Sequence, residues 1–532
     1  MATVYRRSEG MVQNCAVGWT RRAWPWLLLV ALDIGGLCGF WAFASLPFVD
    51  LNGHAGVFAL HKLLRQVGYE SQYFVYAPHL GENALFRVLS DALSDRIGPI
   101  AAVRALGSLP LIATPAAVFY ARYRLYGRTD PFFPVMALIL CFGYLTMMGL
   151  ASYLIAIPLL LVLVAEWLIL MTAADRHTFS MGRETVVALL AVLLCLMHGF
   201  AFLVFGFIAI VTAFSTGSRW TRLVRLRCLL PTVLLMGYSF WAESASPVLG
   251  AVGMAAPPLL YYDPIAHKLG LIFGLTLFSR TGVDLAIGVV VWIAVIAGVV
   301  VSNRAASADR PAAPTNKHLR ALTVAAIATF LLFLAMPHAI AWFSFSDGRL
   351  LPIVLLLGLV AIDSEAFNLS QRKIAQTLAY AAAAIVVTTF LWAQNVFQAE
   401  AAGYDETFAA ITPNTRVLFL PIDCDSRIFV QHSFSRYEGI LLAKKPVVPS
   451  EMWFEQGTAI YPKAANPILR LPLEYVPASL HDIAWEHYRL QDWDFVIIRQ
   501  VVEKGRPQTP ATLVFEAHHG SWWLYRVRAK HV

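Results

Sequence analysis

The stretch that decides the fold is residues 185–215, TVVALLAVLLCLMHGFAFLVFGFIAIVTAFS. Its length suits one long membrane helix, but basic clusters flank it on both sides. The basic residues are Arg176, His177 and Arg183 before the stretch, and Arg219, Arg222, Arg225 and Arg227 after it. A single crossing would place one of the two clusters outside the cytoplasm, whereas basic residues beside membrane helices favour the cytoplasmic side. We therefore predict two short helices that meet near His198 and Gly199.

Nine other apolar runs are long enough to cross a hydrocarbon layer of about 30 Å, which takes about 20 helical residues. They are residues 23–46, 99–120, 131–149, 151–173, 229–246, 284–301, 319–336, 350–366 and 374–394. With the hairpin they predict about eleven transmembrane helices. The composition agrees, because 58% of the residues are hydrophobic and 14% are charged, whereas soluble proteins carry about 25% charged residues. The sequence predicts an α-helical polytopic membrane protein.

The remaining basic residues predict which segments of the chain lie on the cytoplasmic side of the membrane. The net charge is +8, and the basic residues lie in short clusters between apolar runs. Such clusters indicate membrane topology, and we exclude a nucleic-acid partner on this ground. They put residues 1–22 in the cytoplasm, and loops 47–98, 247–283 and 337–348 outside, together with everything after Asn395. The first apolar run is too long for a cleaved signal peptide, so we expect it to stay as a helix. A bacterial cytoplasmic membrane with a periplasmic C-terminal domain fits this arrangement.

Two outer segments differ from simple connectors. Residues 47–98 contain two apolar patterns at helical spacing, which predict two amphipathic helices at the membrane surface, and residues 265–277 fit a third. After the membrane domain at 23–395, residues 396–532 predict a small α/β domain. Its strand-like runs are residues 416–422, 494–499, 513–516 and 522–527. Cys424 is the single cysteine of that domain, which excludes an intramolecular disulfide, and no cysteine spacing indicates a metal site.

Asp50 opens the first outer loop in the sequence PFVDLNGH, residues 47–54. A carboxylate at the outer mouth of the first helix can act as a general base on a hydroxyl acceptor, with His54 as its neighbour. The structural alternative is that Asp50 or Asn52 caps the following helix. Sequence spacing alone favours the cap, because capping is the commoner use of such residues.

Two outer basic residues are candidate ligands of a lipid phosphate. Arg349, in FSDGRLLP at residues 345–352, starts a predicted membrane helix, and its planar guanidinium suits bidentate contact with phosphate oxygens. Alternatively it extends to ordinary headgroups or pairs with Asp347. Lys268 has the same phosphate interpretation, and for it the headgroup alternative is stronger. Tyr262, in the YYDP segment just before Lys268, is a further candidate.

Three more polar residues have both functional and structural interpretations. His198, at the predicted helix break, either lines a cavity or packs as a satisfied core histidine. Glu82 and Asn83 stand at the start of the second predicted surface helix, where a cap or a first-turn acid is expected.

The arrangement resembles the GT-C superfamily of membrane glycosyltransferases, in its uncharacterised bacterial branch. The resemblance rests on Asp50 after the first helix, MGLASYLIAIPL at residues 148–159, LMHGFAF at residues 196–202, the DGRLLP run, and the terminal outer domain. It implies a polyprenyl-phosphate- or pyrophosphate-linked sugar donor and an extracytoplasmic acceptor that is a glycan, lipid or protein. It also implies that Asp50 is the base or lies beside the acceptor, and that Arg349 binds the donor phosphate.

The first loop departs from the superfamily pattern. Many members carry Asp-Leu-Pro-x-His where this chain has Asp50-Leu51-Asn52-Gly53-His54, and a second acid beside Asp50 is absent. A divalent cation prefers several oxygen ligands, so the sequence predicts no metal ligands and disfavours a metal-dependent mechanism, although a divalent cation as cofactor stays open. Two other functions stay open: a transporter or flippase of a lipid-linked substrate, and a non-catalytic assembly subunit with the same fold.

Overall fold

The computed structural model describes residues 23–78, 80–173, 181–215, 224–244, 260–309, 314–340, 343–450, 458–471 and 483–528. In chain order the helices are α1 (Ala23–Trp41), α2 (Val49–Arg65), α3 (Ala84–Ile97), α4 (Pro99–Tyr126), α5 (Phe132–Leu140), α6 (Tyr144–Met148), α7 (Ala151–Ala173), α8 (Met181–Met197), α9 (Gly199–Ser215), α10 (Leu230–Ser244), α11 (Ile265–Gly274), α12 (Val283–Asp309), α13 (Pro314–Ala335), α14 (Leu350–Val360), α15 (Leu369–Ala401), α16 (Tyr404–Ala409) and α17 (Glu438–Lys444).

Six helices of the described chain are long and apolar enough to cross a membrane: α1, α4, α7, α12, α13 and α15. The predicted run 131–149 is split into α5 and α6, because Gly143 lies against the carbonyl oxygen of Leu275, only 2.3 Å from where a Cβ would stand. The helix α14 ends early, at Val360, where buried Arg122 donates to the carbonyl oxygens of Val360 and Ile362 at 3.0 and 2.6 Å. The count of about eleven crossings therefore stays a prediction.

The stretch 185–215 forms two helices with His198 between them. The His198 ring lies 5.2 Å from the ring of Tyr153, near the start of α7. Near the other end of α7, Trp167 donates to the hydroxyl of Thr212, late in α9, at 2.9 Å. The helix α9 thus runs along α7 in the same direction, and α8, which also packs on α7, runs in the opposite one. The two helices form a hairpin whose turn is at His198.

The strands are β1 (Phe74–Tyr76), β2 (Leu260–Tyr261), β3 (Ala339–Ile340), β4 (Thr415–Leu420), β5 (Val447–Pro449), β6 (Ile460–Pro462), β7 (Phe495–Arg499), β8 (Leu513–His519) and β9 (Trp522–Val527). A five-stranded sheet has the order β5-β4-β7-β9-β8. The first three strands are parallel, and the last two pair antiparallel. One face buries Leu418, Val496 and Tyr525. The preceding helix α15 continues to Ala401, past the predicted domain boundary at residue 395.

The C-terminal residues pack directly on the first outer loop. A Cβ at Gly56 would stand 2.7 Å from the Cα of Gly439, so α2 and α17 cross in backbone contact. The strand β1 of the loop pairs with β6, and the hydroxyl of Tyr437 donates to the carbonyl oxygen of Leu46 at 3.2 Å. The helix α2, which carries Asp50, is consequently held between α4 on one side and the C-terminal residues on the other.

Candidate functional site

Asp50 lies at the second position of α2. The N-cap of this helix is Phe48, and no side chain caps it. Asn52 instead donates from its amide nitrogen to the carbonyl oxygen of Leu46, at 3.1 Å. The capping role that the sequence favours for Asp50 or Asn52 is therefore wrong. Asp50 is 8% exposed, and its carboxylate is close enough to Tyr144 to act on it electrostatically.

Gly149 fixes the position of the Asp50 backbone. Its φ of +79° is a left-handed conformation that favours glycine. A Cβ at this position would stand 2.6 Å from the backbone nitrogen of Leu51 and 3.1 Å from that of Asp50. Only the absence of a side chain lets the segment before α7 approach the first turn of α2 so closely.

His54 follows Asp50 by four residues, and this spacing puts both side chains on one helical face. Its ring centroid lies 5.8 Å from that of Phe58 and 5.5 Å from that of Phe86. Burial among these groups, aided by the charge of His61, lowers the pKa of His54 to about 3. The imidazole is therefore neutral at physiological pH.

Arg349 immediately precedes α14 and is buried, with 8% of its surface exposed. Its guanidinium carbon lies 4.1 Å from the ring centroid of Phe343 and 5.5 Å from that of Tyr153. One Nη donates to the carbonyl oxygen of Ser344 at 3.2 Å, and the other is 3.4 Å from Nε2 of His198. The hairpin turn thus touches the Arg349 head group. His198 packs among the rings of Tyr153 and Phe343 and contacts Arg349, while the interpretation that it lines a cavity stays a prediction.

The segment 149–153 joins Asp50 to Arg349. Gly149 contacts the Asp50 backbone, and the buried hydroxyl of Tyr153 donates to the carbonyl oxygen of Arg349. Gly149 lies just before α7 and Tyr153 in its first turn, so the beginning of α7 and the residues before it contact the backbones of both candidate residues.

An aromatic contact joins Tyr144, near the candidate base, to Phe345, in the loop before α14. The ring centroids of Tyr144 and Phe345 are 5.6 Å apart. Phe345 has a φ of +58°, which is unusual for a residue with a Cβ and costs roughly 1–3 kcal/mol. Its ring also lies 4.9 Å from that of His338. Such strain persists only where the surrounding contacts over-determine the conformation.

Lys268 has a different environment from the one that its sequence position predicts. Its Nζ donates to the carbonyl oxygens of Phe333 at 3.0 Å and Leu334 at 3.1 Å, and also to that of Met336. The ammonium group therefore binds the last carbonyls of α13, and we do not retain it as a phosphate ligand. Tyr262 is 56% exposed, beside the short pair of strands β2 and β3.

Glu82 and Asn83 have different surroundings. The carboxylate of Glu82 lies against Gly199, the first residue of α9, because a Cβ there would stand 2.4 Å from Oε2. A helix N-terminus favours a negative charge at this position. Asn83 occupies the N-cap of α3 with a φ of +59°, but its side chain makes no capping bond.

The sequence did not indicate a cluster formed by Asp263, His338 and Asp347. Nδ1 of His338 lies 2.9 Å from Oδ2 of Asp263 and 3.0 Å from Oδ1 of Asp347. Lys268 Nζ is 3.5 Å from the other oxygen of Asp347. Two predicted outer loops supply these residues, and the pairing of β2 with β3 brings the loops together. The only signal in the sequence is that each residue lies in a predicted outer loop.

Two small pockets lie between the helices and this region. The first has a volume of about 20 Å³ and is lined by Leu140, Leu154, Ile157 and Leu356, among others. The second, of about 10 Å³, is lined by Tyr144, Phe345 and Gly348. Leu145 and Leu275 border both pockets. Each has room for about one water molecule, which is far less than the volume of a typical ligand site.

No protein-family model matches the chain, and no curated protein matches it. Among solved structures, it is similar to the arabinofuranosyltransferase AftD from Mycobacteria, with 14% identity and a TM-score of 0.47 over 96% of this chain and 40% of that one. It is also similar to the oligosaccharyltransferase of Archaeoglobus fulgidus, with 11% identity and a TM-score of 0.48 over 90% of this chain and 70% of that one. Both are members of the GT-C superfamily that the sequence motifs resemble.

Proposed function

We propose that the protein is a membrane glycosyltransferase that moves a sugar from a polyprenyl-phosphate or polyprenyl-pyrophosphate donor to an extracytoplasmic acceptor. The acceptor is a hydroxyl of a glycan, lipid or protein. In this proposal the protein lies in a bacterial cytoplasmic membrane, with residues 1–22 inside and the C-terminal domain in the periplasm. Asp50 is the base, and Arg349 binds the donor phosphate.

The observation that carries the proposal is the contact of Asp50 and Arg349 with one short segment of the chain. Gly149, just before α7, contacts the Asp50 backbone, and Tyr153, in the first turn of α7, donates to the Arg349 backbone. Base and phosphate ligand must keep a fixed separation, since a displacement of about 1 Å can slow a reaction 100-fold. A common support at residues 149–153 favours such a fixed separation.

The reaction is an inversion at the anomeric carbon. Asp50 accepts the proton of the acceptor hydroxyl, and the hydroxyl oxygen forms a bond to that carbon. The bond from the carbon to the phosphate oxygen breaks, and the phosphate leaves with the electron pair. Arg349 stabilises the developing negative charge. A phosphate leaving group is already an anion, so no strong general acid is needed. His54, neutral and on the same helical face as Asp50, orients the carboxylate.

Sugar release by purified protein tests the function. A panel of radiolabelled polyprenyl-phosphate-linked sugars is supplied to the protein in lipid vesicles, with water or a simple glycoside as acceptor. A glycosyltransferase releases the sugar, whereas a flippase or a non-catalytic subunit leaves the donor intact. Lack of release from every donor, by protein that elutes as a single species, would overturn the proposal.

The base assignment is tested with Asp50→Asn and a matched control, Asp95→Asn. Asp95 belongs to the same outer loop but is half-exposed and pairs with Arg65. We expect Asp50→Asn to lower turnover at least 100-fold, because general-base catalysis contributes about 100- to 10,000-fold. The control should keep its turnover. Equal turnover in both variants would remove Asp50 from the mechanism.

The phosphate assignment is tested with Arg349→Gln against Arg96→Gln. Arg96 is an exposed basic residue on α3, which serves as a control for contacts with ordinary headgroups. We expect Arg349→Gln to raise the KM for the donor and to lower turnover, since the guanidinium acts on the bound donor and on the leaving group. A donor KM that matches that of Arg96→Gln would refute the assignment.

A further inference from the structure

We propose that Asp263, His338 and Asp347 form a binding site for a divalent transition-metal ion, of the Mn²⁺ or Zn²⁺ type, between two outer loops. Binding of this ion does not depend on the glycosyl transfer proposed above, and it can be tested without a sugar substrate. The sequence alone predicts no metal site, so the proposal comes from the placement of these side chains.

The distances among the three donor atoms suit one small ion. Nδ1 of His338 is 2.9 Å from Oδ2 of Asp263 and 3.0 Å from Oδ1 of Asp347, and all three atoms lie within 4.8 Å of one another. Ligands that lie about 2.1 Å from an ion and at right angles to each other are about 3 Å apart. Two of the three separations have this value.

The cluster places two carboxylates against one imidazole nitrogen. Asp347 is completely buried, its Oδ1 faces Nδ1 of His338, and its Oδ2 faces Nζ of Lys268 at 3.5 Å. Lys268 supplies one positive charge, whereas Asp263 and Asp347 carry two negative charges when both are ionised. Nδ1 of His338 carries at most one proton, so it cannot donate to both aspartates at once. A divalent cation among the three donor atoms would contact both carboxylates.

The mixture of ligands selects the class of ion. Carboxylates alone suit Mg²⁺ or Ca²⁺, whereas an imidazole added to carboxylates suits Zn²⁺, Mn²⁺ and related ions. His267, whose Nδ1 is 2.5 Å from Oδ2 of Asp263, has a side chain that is 54% exposed and lies at the outer edge. The side chains of Asp263 and His338 are only 6% and 13% exposed, so the ligands are held in place before an ion arrives.

The position of the site gives the ion a structural consequence. Asp347 lies two residues before Arg349, and the ring of His338 contacts that of Phe345. An ion held by Asp263 and Asp347 would tie the loop before α11 to the loop before α14. It would thereby stabilise the backbone that presents Arg349.

The test measures metal bound to the full-length protein in detergent, after the protein has been stripped with EDTA and then dialysed against Mn²⁺ or Zn²⁺. The exposed cluster Cys424, Asp425 and His432 also has metal-type ligands, so all measurements use a Cys424→Ser/His432→Ala background. We expect one Mn²⁺ or Zn²⁺ per chain by elemental analysis, and a higher Tm with the ion present. Introducing Asp263→Asn or His338→Gln into this background should weaken binding at least tenfold and remove the Tm shift. An unchanged affinity in both variants, or no bound ion in the background protein, would overturn the proposal.

A spectroscopic measurement covers the case in which the variants fail to fold. Electron–nuclear double resonance on the Mn²⁺-loaded background protein should detect one directly bound nitrogen, from the imidazole of His338. Mn²⁺ with only oxygen ligands would contradict the proposed site, because the assignment requires that nitrogen.

Discussion

Replacement of Gly149 by alanine should impair turnover far more than it impairs stability. The left-handed backbone at Gly149 costs roughly 1–2 kcal/mol when a Cβ is present. The new Cβ would also stand 2.6 Å from the backbone nitrogen of Leu51, and ordinary contact begins near 3.4 Å. The first turn of α2 must therefore retreat by 3.4 − 2.6 = 0.8 Å, which moves Asp50 with it. Displacements of about this size can lower a rate 100-fold.

Gly127→Ala is a matched control for this substitution. Gly127 ends α4 with a φ of +71°, and a Cβ there would meet nothing within 4 Å. Both variants should lose about 1–2 kcal/mol of stability from the backbone strain, and Gly149→Ala should show the larger fall in Tm, because its Cβ also displaces α2. Only Gly149→Ala should lose about 100-fold in sugar release. If its turnover is within threefold of that of Gly127→Ala, the close approach does not position Asp50.

Three further predictions concern stability. Gly439→Ala places a Cβ 2.1 Å from the carbonyl oxygen of Asn52 and should separate α17 from α2. Limited proteolysis should therefore release the C-terminal domain faster in this variant than in the control Gly270→Ala, whose Cβ meets nothing within 4 Å. Arg122→Met should lower the Tm of the protein in detergent, because the two carbonyl oxygens that Arg122 binds at the end of α14 lose this donor. Each lost hydrogen bond should cost about 1–3 kcal/mol of stability. An unchanged Tm would contradict this expectation. Burial alone would raise the pKa of Asp494, but its hydrogen bonds with Arg416 lower that pKa below the usual range. The stabilisation is therefore present above about pH 4 and is lost as the pH falls through the lowered pKa. Asp494→Asn should cost about 0.5–1 kcal/mol at pH 7 and nothing near pH 2, and an effect that persists at low pH would exclude the ion pair as its cause.

The long helices could be predicted because membrane solvation acts on each segment locally. An apolar run of sufficient length must satisfy its own backbone hydrogen bonds, so its sequence alone indicates a helix. The break at His198 was also predictable, from the basic residues on both flanks. The break at Gly143 was not, since it depends on the carbonyl oxygen of Leu275, which is distant in the sequence.

The candidate site could be predicted only in part. Asp50 and Arg349 stand next to predicted membrane helices, where hydropathy and charge identify them. The interpretation of Lys268 needed the three-dimensional positions of the carbonyls that it binds, which no local pattern encodes. The grouping of Asp263 with His338 depends on β2 and β3, strands of two residues each. Strands this short have no recognisable sequence pattern.

The packing of α17 on α2 has a consequence for the timing of synthesis. The first predicted outer loop is made before α15, whereas Gly439 and the strand β6, which complete its surroundings, are made after it. Contacts between such distant segments form late in folding, because a long intervening chain must be ordered first. Asp50 therefore receives this support only after α15 and the segments that follow it have been synthesised. A chain terminated just after α15 would contain every predicted membrane helix and still lack these contacts.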